Sequence, residues 1–98
     1  MDNESFVAGR FARCPDALAR SVLDTVLVLG TKADEPIIVD GTARLAWDLL
    51  SRPVRGNTIV DEIVTRYGAD PIEVRADVAA FLRELEALGV VDRVAWPA

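Results

Sequence analysis

The protein has 98 residues, about half of them apolar, and its 16 acidic against 11 basic side chains give a net charge of −5. This length fits one domain, and no apolar run reaches the roughly 18 residues that indicate a membrane-spanning helix. The sequence contains no histidine, which excludes Ser–His and Cys–His catalytic pairs and every metal site that uses histidine.

The cysteine content and the N-terminus indicate the compartment. Cys14 is the single cysteine, so no internal disulfide can form, which favours a reducing compartment. Residues 1–5 are acidic, and no apolar stretch with a small-residue cleavage site follows them, unlike a secretory signal. We therefore expect a cytoplasmic protein that does not interact with membranes.

The first forty residues predict three short strands. The runs 19–22 and 25–29 are rich in β-branched residues and meet at a short turn, which indicates a hairpin. Pro36 opens a third apolar run, Ile37-Ile38-Val39, and proline is tolerated at the first position of a strand. We expect these three strands to form an antiparallel meander.

The apolar period then changes from two to about 3.6, which is typical of helices. Capping residues predict the N-termini of three helices. They are Thr42 for a helix over 43–50, Thr58 for a helix that stops at Gly68, and Asp70 with Pro71 for a helix that stops at Gly89. Residues 90–94 form a terminal strand or pack as a tail.

Three strands followed by three helices predict an α+β domain in which the helices cover one face of a small antiparallel sheet. The domain is expected to span residues 11–94. A flexible N-terminal segment, 1–10, precedes it, and a short C-terminal tail, 95–98, follows it.

Little in the sequence suggests catalysis. The carboxylates fall at helix caps, in turns and on exposed helical faces, and there is no glycine-rich phosphate loop or paired-cysteine metal motif. We predict no catalytic residue, no metal and no cofactor. A helix-turn-helix is conceivable over residues 57–89, but its seven acids against three arginines oppose DNA binding.

The third strand suggests an interaction site. In a simple meander Ile37-Ile38-Val39 is an edge strand, and it carries none of the inward charges that usually blunt an edge. Two interpretations remain open. Either the strand is covered by the N-terminal segment, or it is a docking edge for an extended peptide.

Residues 36–50 resemble the PqqD family, the peptide chaperones of pyrroloquinoline quinone (PQQ) biosynthesis. The shared features are a strand, a small polar turn, and a helix with an aromatic residue and a Leu-Leu pair. Residues 58–64 and 67–91 are similar to the family's second and third helices. The wider class is the recognition element of pathways to ribosomally made, post-translationally modified peptides (RiPPs). The resemblance implies a winged helix-turn-helix-like fold that has lost DNA binding.

The resemblance also implies a non-catalytic chaperone that binds the leader region of a precursor peptide. The leader is held as an added strand beside the third strand and against the third helix. The contacts expected on this sequence are Ile37, Ile38, Val39, Asp40, Arg75, Val78, Ala79 and Leu82. Arg75 would meet an acidic or carbonyl group, and Val78 and Leu82 would receive apolar side chains. The opposite flank of the helix, with Asp77 and Phe81, is the alternative.

The implied partners are the leader peptide and a separate modifying enzyme, which could be a radical-SAM enzyme, a leader peptidase or a cyclase of a PQQ, lasso-peptide or other RiPP pathway. No nucleic-acid partner is expected. Two other kinds of function stay open. One is an acidic winged-helix regulatory module that binds DNA or a protein, and the other is a subunit that dimerises through the same edge strand.

Overall fold

The computed structural model describes residues 2–95, which form four helices and six strands. Most of the predicted C-terminal tail, residues 96–98, lies outside this part of the chain. In chain order the elements are α1 (Asn3–Val7), β1 (Arg10–Arg13), β2 (Leu18–Val22), β3 (Thr25–Leu29), β4 (Ile37–Val39), α2 (Gly41–Leu49), β5 (Val54–Arg55), α3 (Gly56–Tyr67), α4 (Pro71–Ala87) and β6 (Val91–Val94).

The predicted meander is confirmed. Strands β2, β3 and β4 form an antiparallel sheet in that order, with Leu27 opposite Ile38 and Val26 opposite Val39. The side chains of Val26, Val28 and Val39 on one face of this sheet are buried. All five residues of β2 are exposed, so the sheet packs on the core mainly through its other two strands.

The predicted order of three strands followed by three helices is incomplete, because a second sheet is present. In this sheet β1 pairs antiparallel with β5 on one side and with β6 on the other. These strands have four, two and four residues, which is too short for an alternating pattern to stand out. The domain is therefore a mixed α/β unit with two small antiparallel sheets.

Residues 2–10, which were expected to belong to a flexible segment, contain helix α1 and the first residue of β1. Asp2 caps α1 by accepting a hydrogen bond of 2.7 Å from the Ser5 N–H, which also lowers the pKa of Asp2. Phe6 and Val7 are buried in the core, and Asn3 accepts a hydrogen bond of 2.8 Å from Arg83 on α4. The segment is held by these tertiary contacts, since a five-residue helix is too short to be stable alone.

One of the three predicted caps is correct. The Asp70 carboxylate accepts a hydrogen bond of 2.9 Å from the Ile72 N–H, and Pro71 is the first residue of α4. Thr42 instead lies inside α2, which begins one residue before it at Gly41. Thr58 lies inside α3, which begins two residues before it at Gly56. The start of α3 is set by tertiary contact, because the Gly56 N–H donates to the Gly9 carbonyl.

One core joins the two sheets and the helices. Its largest fully buried side chains include Phe6, Phe11, Leu50, Ile59, Leu82 and Leu85. Trp47 of α2 belongs to this core. The guanidinium of Arg13 lies 3.8 Å from the centre of the Trp47 ring and donates to the Trp47 carbonyl, which connects β1 to α2. Within residues 2–95 no helix has the length and apolarity to cross a membrane.

Candidate functional site

Strand β4 has an open edge. It is the outermost strand of its sheet and pairs only with β3 among the described residues. The N-terminal segment does not cover this edge, because it contributes β1 to the other sheet and packs α1 on the helices. The interpretation in which that segment covers the third strand is therefore wrong.

The hairpin geometry indicates which backbone groups of β4 point outward. A two-residue loop joins β2 to β3, and Val22 and Thr25 on either side of it are paired. Residues that flank such a loop bond to each other, and bonded and unbonded residues then alternate along the strands. By this alternation Ile37 and Val39 bond to β3. The N–H and C=O of Ile38 are directed to the open edge.

The side chains of β4 alternate in the same way. Val39 is fully buried, Ile37 is half-buried, and Ile38 is 66% exposed on the outer face of the sheet. Pro36 precedes the strand, and Asp40 follows it as the exposed N-cap of α2. A guest strand placed beside β4 would therefore alternate between the domain interior and the solvent.

Two hollows lie near the two ends of β4, and each is lined in part by helix α4 or by its C-cap, Leu88. One, of about 270 Å³, is lined by Thr42, Ala43, Ala46, Ile63, Asp77, Val78 and Phe81. The other, of about 440 Å³, is lined by Ala33, Asp34, Glu35, Pro36, Ile37 and Leu88. Phe81 on α4 and Leu88 at its C-cap are about 10 Å apart along the helix axis, and we refer to the two hollows together as the β4–α4 groove.

The first hollow is lined by one flank of α4. Val78 lines the groove as predicted, together with Asp77 and Phe81 of the alternative flank. Ala79 and Leu82 have no exposed surface and belong to the core. Of the helix residues predicted to contact the peptide, these two therefore do not line the hollow.

Arg75 also lies outside the groove. Arg75 is two residues before Asp77, so the two side chains are separated by about 200° of rotation around the helix axis. Its side chain is half-buried, and its Nε atom is buried without a hydrogen-bond partner among the described residues. Helix α1 covers this general side of α4, where the Arg83 guanidinium lies 4.4 Å from the centre of the Phe6 ring. The groove is left on the side that α1 does not reach.

The groove has an apolar lining and acidic ends. Ile37, Ala43, Phe81 and Leu88 are partly buried and pack against the core. Asp34 and Glu35 line one hollow, and Asp77 lines the other. Asp40 is two residues before Thr42, which lines the same hollow as Asp77. This arrangement offers apolar surface near the open edge of β4, with carboxylates near each end of the strand.

Cys14 lies away from the groove. Its thiol is buried, and burial, reinforced by a hydrogen bond with Asp92, raises the pKa of Cys14 to about 11. A thiol in this state is a poor nucleophile at neutral pH. In the part of the chain that the structure describes, no group of three or more acidic or cysteine side chains is placed to hold a metal ion.

Comparisons with known proteins agree with this geometry. Residues 25–91 match the family described as coenzyme PQQ synthesis protein D (PqqD). Among solved structures the chain is similar to one entitled "TbiB1 in Complex with the TbiA(beta) Leader Peptide". The TM-score is 0.74 and the sequence identity is 25%, over 87% of this chain and 99% of that chain. No curated protein matches the sequence significantly. Because the family match spans well over half of the chain and includes β3, β4 and helices α2 to α4, the chain belongs to the PqqD family.

Proposed function

We propose that this protein is a non-catalytic chaperone that binds the leader region of a precursor peptide as an added strand along β4. The observation that carries the proposal is the open edge of β4 beside an apolar groove walled by α4. The structural neighbour supports it, because that protein was solved with a leader peptide and shares this fold.

Backbone hydrogen bonds would supply part of the affinity. Ile38 offers one donor and one acceptor to the guest strand, and the Pro36 carbonyl and the Asp40 N–H extend the same row. Each bond contributes about 0.5–1.5 kcal/mol net. Because these bonds do not depend on the guest's side chains, they hold an extended peptide in place without selecting its sequence.

Apolar side chains of the guest would supply the rest. Alternate guest residues point into the groove, where Val78, Phe81 and Leu88 can receive them. Each buried anchor contributes about 1.5–3 kcal/mol, and part of this gain is offset by the loss of freedom of a flexible leader. The strand contacts proposed here are Ile37, Ile38, Val39 and Asp40, and the helix contacts are revised to Asp77, Val78, Phe81 and Leu88.

The bound leader would present the remainder of the precursor to a separate modifying enzyme. A peptide held in this way has a raised effective concentration at any enzyme that binds the same domain. The candidates are a radical-SAM enzyme, a leader peptidase or a cyclase of a PQQ, lasso-peptide or other RiPP pathway. This division of labour requires binding and release from the chaperone but no chemistry on it.

A titration with proline variants tests the proposal. Fluorescein-labelled leader peptides from neighbouring precursor genes are titrated with the protein and with Ile38→Pro. We expect saturable binding that weakens at least about tenfold in Ile38→Pro, because proline removes the outward donor. Thermal unfolding of the variant should change little, since that donor is not part of the β3–β4 ladder.

The sheet provides a matched control at its other edge. By the same alternation the N–H of Ser21 points outward from β2, so Ser21→Pro makes an equivalent change away from the groove. It should leave peptide binding intact. The proposal fails if no leader peptide binds, if Ile38→Pro binds as well as the parent protein, or if random duplex DNA binds instead. It also fails if sedimentation shows that the edge of β4 is occupied by a second copy of the chain.

A further inference from the structure

The outer face of the β2–β3–β4 sheet is apolar at the open edge of β4. Burial of Val26, Val28 and Val39 defines the inner face, and side chains alternate along a strand, so Ile38 lies on the outer face. Its cross-strand partner on that face is Leu27 of β3. Because Ile38 is 66% exposed, this row of side chains ends at the open edge in a large apolar group that stands in solvent.

The two edges of the sheet differ in how they are protected. On β2 the same row ends at Arg20, which is paired with Leu27 from the other side. Natural proteins often place charged side chains on exposed edge strands, because charge opposes the addition of a further strand. Strand β2 follows this rule, whereas the three residues of β4 carry no charge. The β4 edge therefore lacks the protection that the β2 edge has.

Ile38 would offer a guest strand both backbone and side-chain contacts. Its N–H and C=O are directed to the open edge, so a strand added there would bond to this residue. Neighbouring strands lie about 4.8 Å apart, and residues in register place their side chains next to each other on the same face. A guest residue in register with Ile38 would therefore contact the Ile38 side chain on the outer face. This contact is separate from those of the guest residues that face α4.

The surrounding surface extends this contact. Leu18 and Leu29 form the next row of the outer face, and Pro36 lies with them around a hollow of about 180 Å³. Pro36 is two residues before Ile38, which is the diagonal position relative to a guest residue in register with Ile38. Diagonal neighbours in a sheet are within reach of aromatic and other long side chains. A large guest side chain would thus find apolar surface beyond Ile38 itself.

We infer that the guest strand carries a large apolar residue, β-branched or aromatic, beside Ile38 on the outer face, and that the Ile38 side chain selects it. This inference rests on the proposed function and adds a second specificity contact to it. The guest residues that face α4 are apolar in the proposed function, so the binding segment of the leader is apolar on both faces. A leader strand with a polar outer face would bind more weakly.

Isosteric substitutions at Ile38 test the inference. Val and Thr both keep the β-branch and the backbone donor, but Thr has a hydroxyl where Val has a methyl group. A labelled leader peptide that binds saturably is titrated with Ile38→Val and with Ile38→Thr. We expect Ile38→Val to bind within about twofold of the parent protein. Ile38→Thr should bind about two- to fivefold more weakly than Ile38→Val, which is the range of one cross-strand pair.

A double-mutant cycle locates the guest residue. Each apolar residue of the peptide is replaced in turn by Thr, and every peptide is titrated with the parent protein and with Ile38→Thr. One peptide position should couple to Ile38, so that its replacement weakens binding to the parent protein but adds little in Ile38→Thr. The residues directly before and after that position should not couple, since their side chains point to the opposite face.

Leu18→Thr is the matched control. Leu18 is also 66% exposed on the outer face, but it belongs to β2, at the edge away from the guest strand. We expect Leu18→Thr to leave peptide binding unchanged. Urea unfolding of Ile38→Thr and Leu18→Thr should be close to that of the parent protein, because both side chains are exposed.

The outcomes separate the two proposals. Equal binding by Ile38→Val and Ile38→Thr, with Ile38→Pro still defective, overturns the inference and leaves the proposed function standing. An equal loss of binding in Leu18→Thr and Ile38→Thr overturns it as well, because the effect would then come from apolar surface in general or from a second copy of the chain on this face. If no leader peptide binds the parent protein saturably, both the inference and the proposed function are wrong.

Discussion

Cys14 connects burial with chemical reactivity at the level of a single residue. Its backbone N–H donates to the Val90 carbonyl at 2.8 Å, which fixes the residue at the edge of the core. Burial, with the hydrogen bond to Asp92, raises the pKa of Cys14 from 9.0 to about 11. Because the pKa is higher in the folded state, the neutral thiol favours folding below about pH 9, and this contribution is lost as the pH rises toward 11.

Alkylation of Cys14 should be slow in the native protein. At pH 8 a thiol with this pKa is about 0.1% thiolate, so iodoacetamide should react about 100-fold more slowly than with the urea-unfolded chain. Between pH 7 and 9.5 the native rate should rise about tenfold per pH unit without levelling off. Mass spectrometry of timed samples measures the rate. A plateau near pH 9 would show that the thiol titrates as an exposed one.

Helix α1 is the element that decides which face of α4 remains available. Phe6 and Val7 are buried, and two arginines, Arg83 and Arg93, lie 4.4 and 4.5 Å from the centre of the Phe6 ring. The ring is therefore enclosed by the second sheet and by α4. Without α1, the flank of α4 opposite the groove would also be exposed, and a guest peptide would have two apolar surfaces to choose from.

Removing the Phe6 ring should destabilise the whole domain. We expect Phe6→Ala to lower the free energy of unfolding by about 3–5 kcal/mol, as for other large-to-small changes in cores. Urea denaturation followed by circular dichroism measures the change. Ile72→Ala, at a residue that is 72% exposed on α4, is the matched control and should stay within about 0.5 kcal/mol. A small effect of Phe6→Ala would mean that α1 is not part of the cooperative unit.

Individual elements differ in how well the sequence predicts them. The β2–β3 hairpin, β4 and α4 carry strong local signals, namely β-branched runs, a proline at a strand start, and the Asp70-Pro71 cap, and these predictions are confirmed. Strands β1 and β5 have four and two residues, and they become strands only through pairing with distant residues. Local patterns do not contain that information.

The candidate site likewise has one part that the sequence predicts and one part that depends on tertiary packing. The edge strand Ile37–Val39 follows from strand order, which the sequence indicates. The flank of α4 does not follow from its apolar stripe, because that stripe only identifies the buried face. The choice between Arg75 with Ala79 and Asp77 with Phe81 depends on where α1 packs, and α1 has only five residues and no apolar period.

Across the whole molecule, backbone contacts join the first sheet to the end of α4. The N–H groups of Thr31 and Lys32 donate to the carbonyls of Gly89 and Leu88 at 3.1 and 3.0 Å. Gly30 packs so closely that an added Cβ would lie 1.9 Å from the Leu88 carbonyl oxygen. This junction fixes the loop after β3 against Leu88, the C-cap of α4, which lines one hollow of the β4–α4 groove.

Gly30→Ala should therefore disrupt the junction. Because the obstacle is backbone, which cannot move aside as a side chain can, we expect a loss of more than about 2 kcal/mol in the free energy of unfolding. Gly9→Ala is the control, since its Cβ would meet nothing closer than 3.4 Å. Thermal and urea unfolding of both variants measure the difference. Equal stability of the two variants would show that the close approach at Gly30 can relax.

The bonds from residues 31 and 32 to 88 and 89 have an evolutionary consequence. Two of them join main-chain atoms, and the Thr31 hydroxyl adds a third by donating to the Gly89 carbonyl at 3.4 Å. The separation of strand and helix at this point therefore does not depend on the side chains that line the hollows. Under the proposed function, substitutions at Phe81 or Asp77 would alter which guest residues fit while these bonds keep strand and helix in place. One scaffold of this kind could be adapted to many different peptide sequences while its framework stays constant.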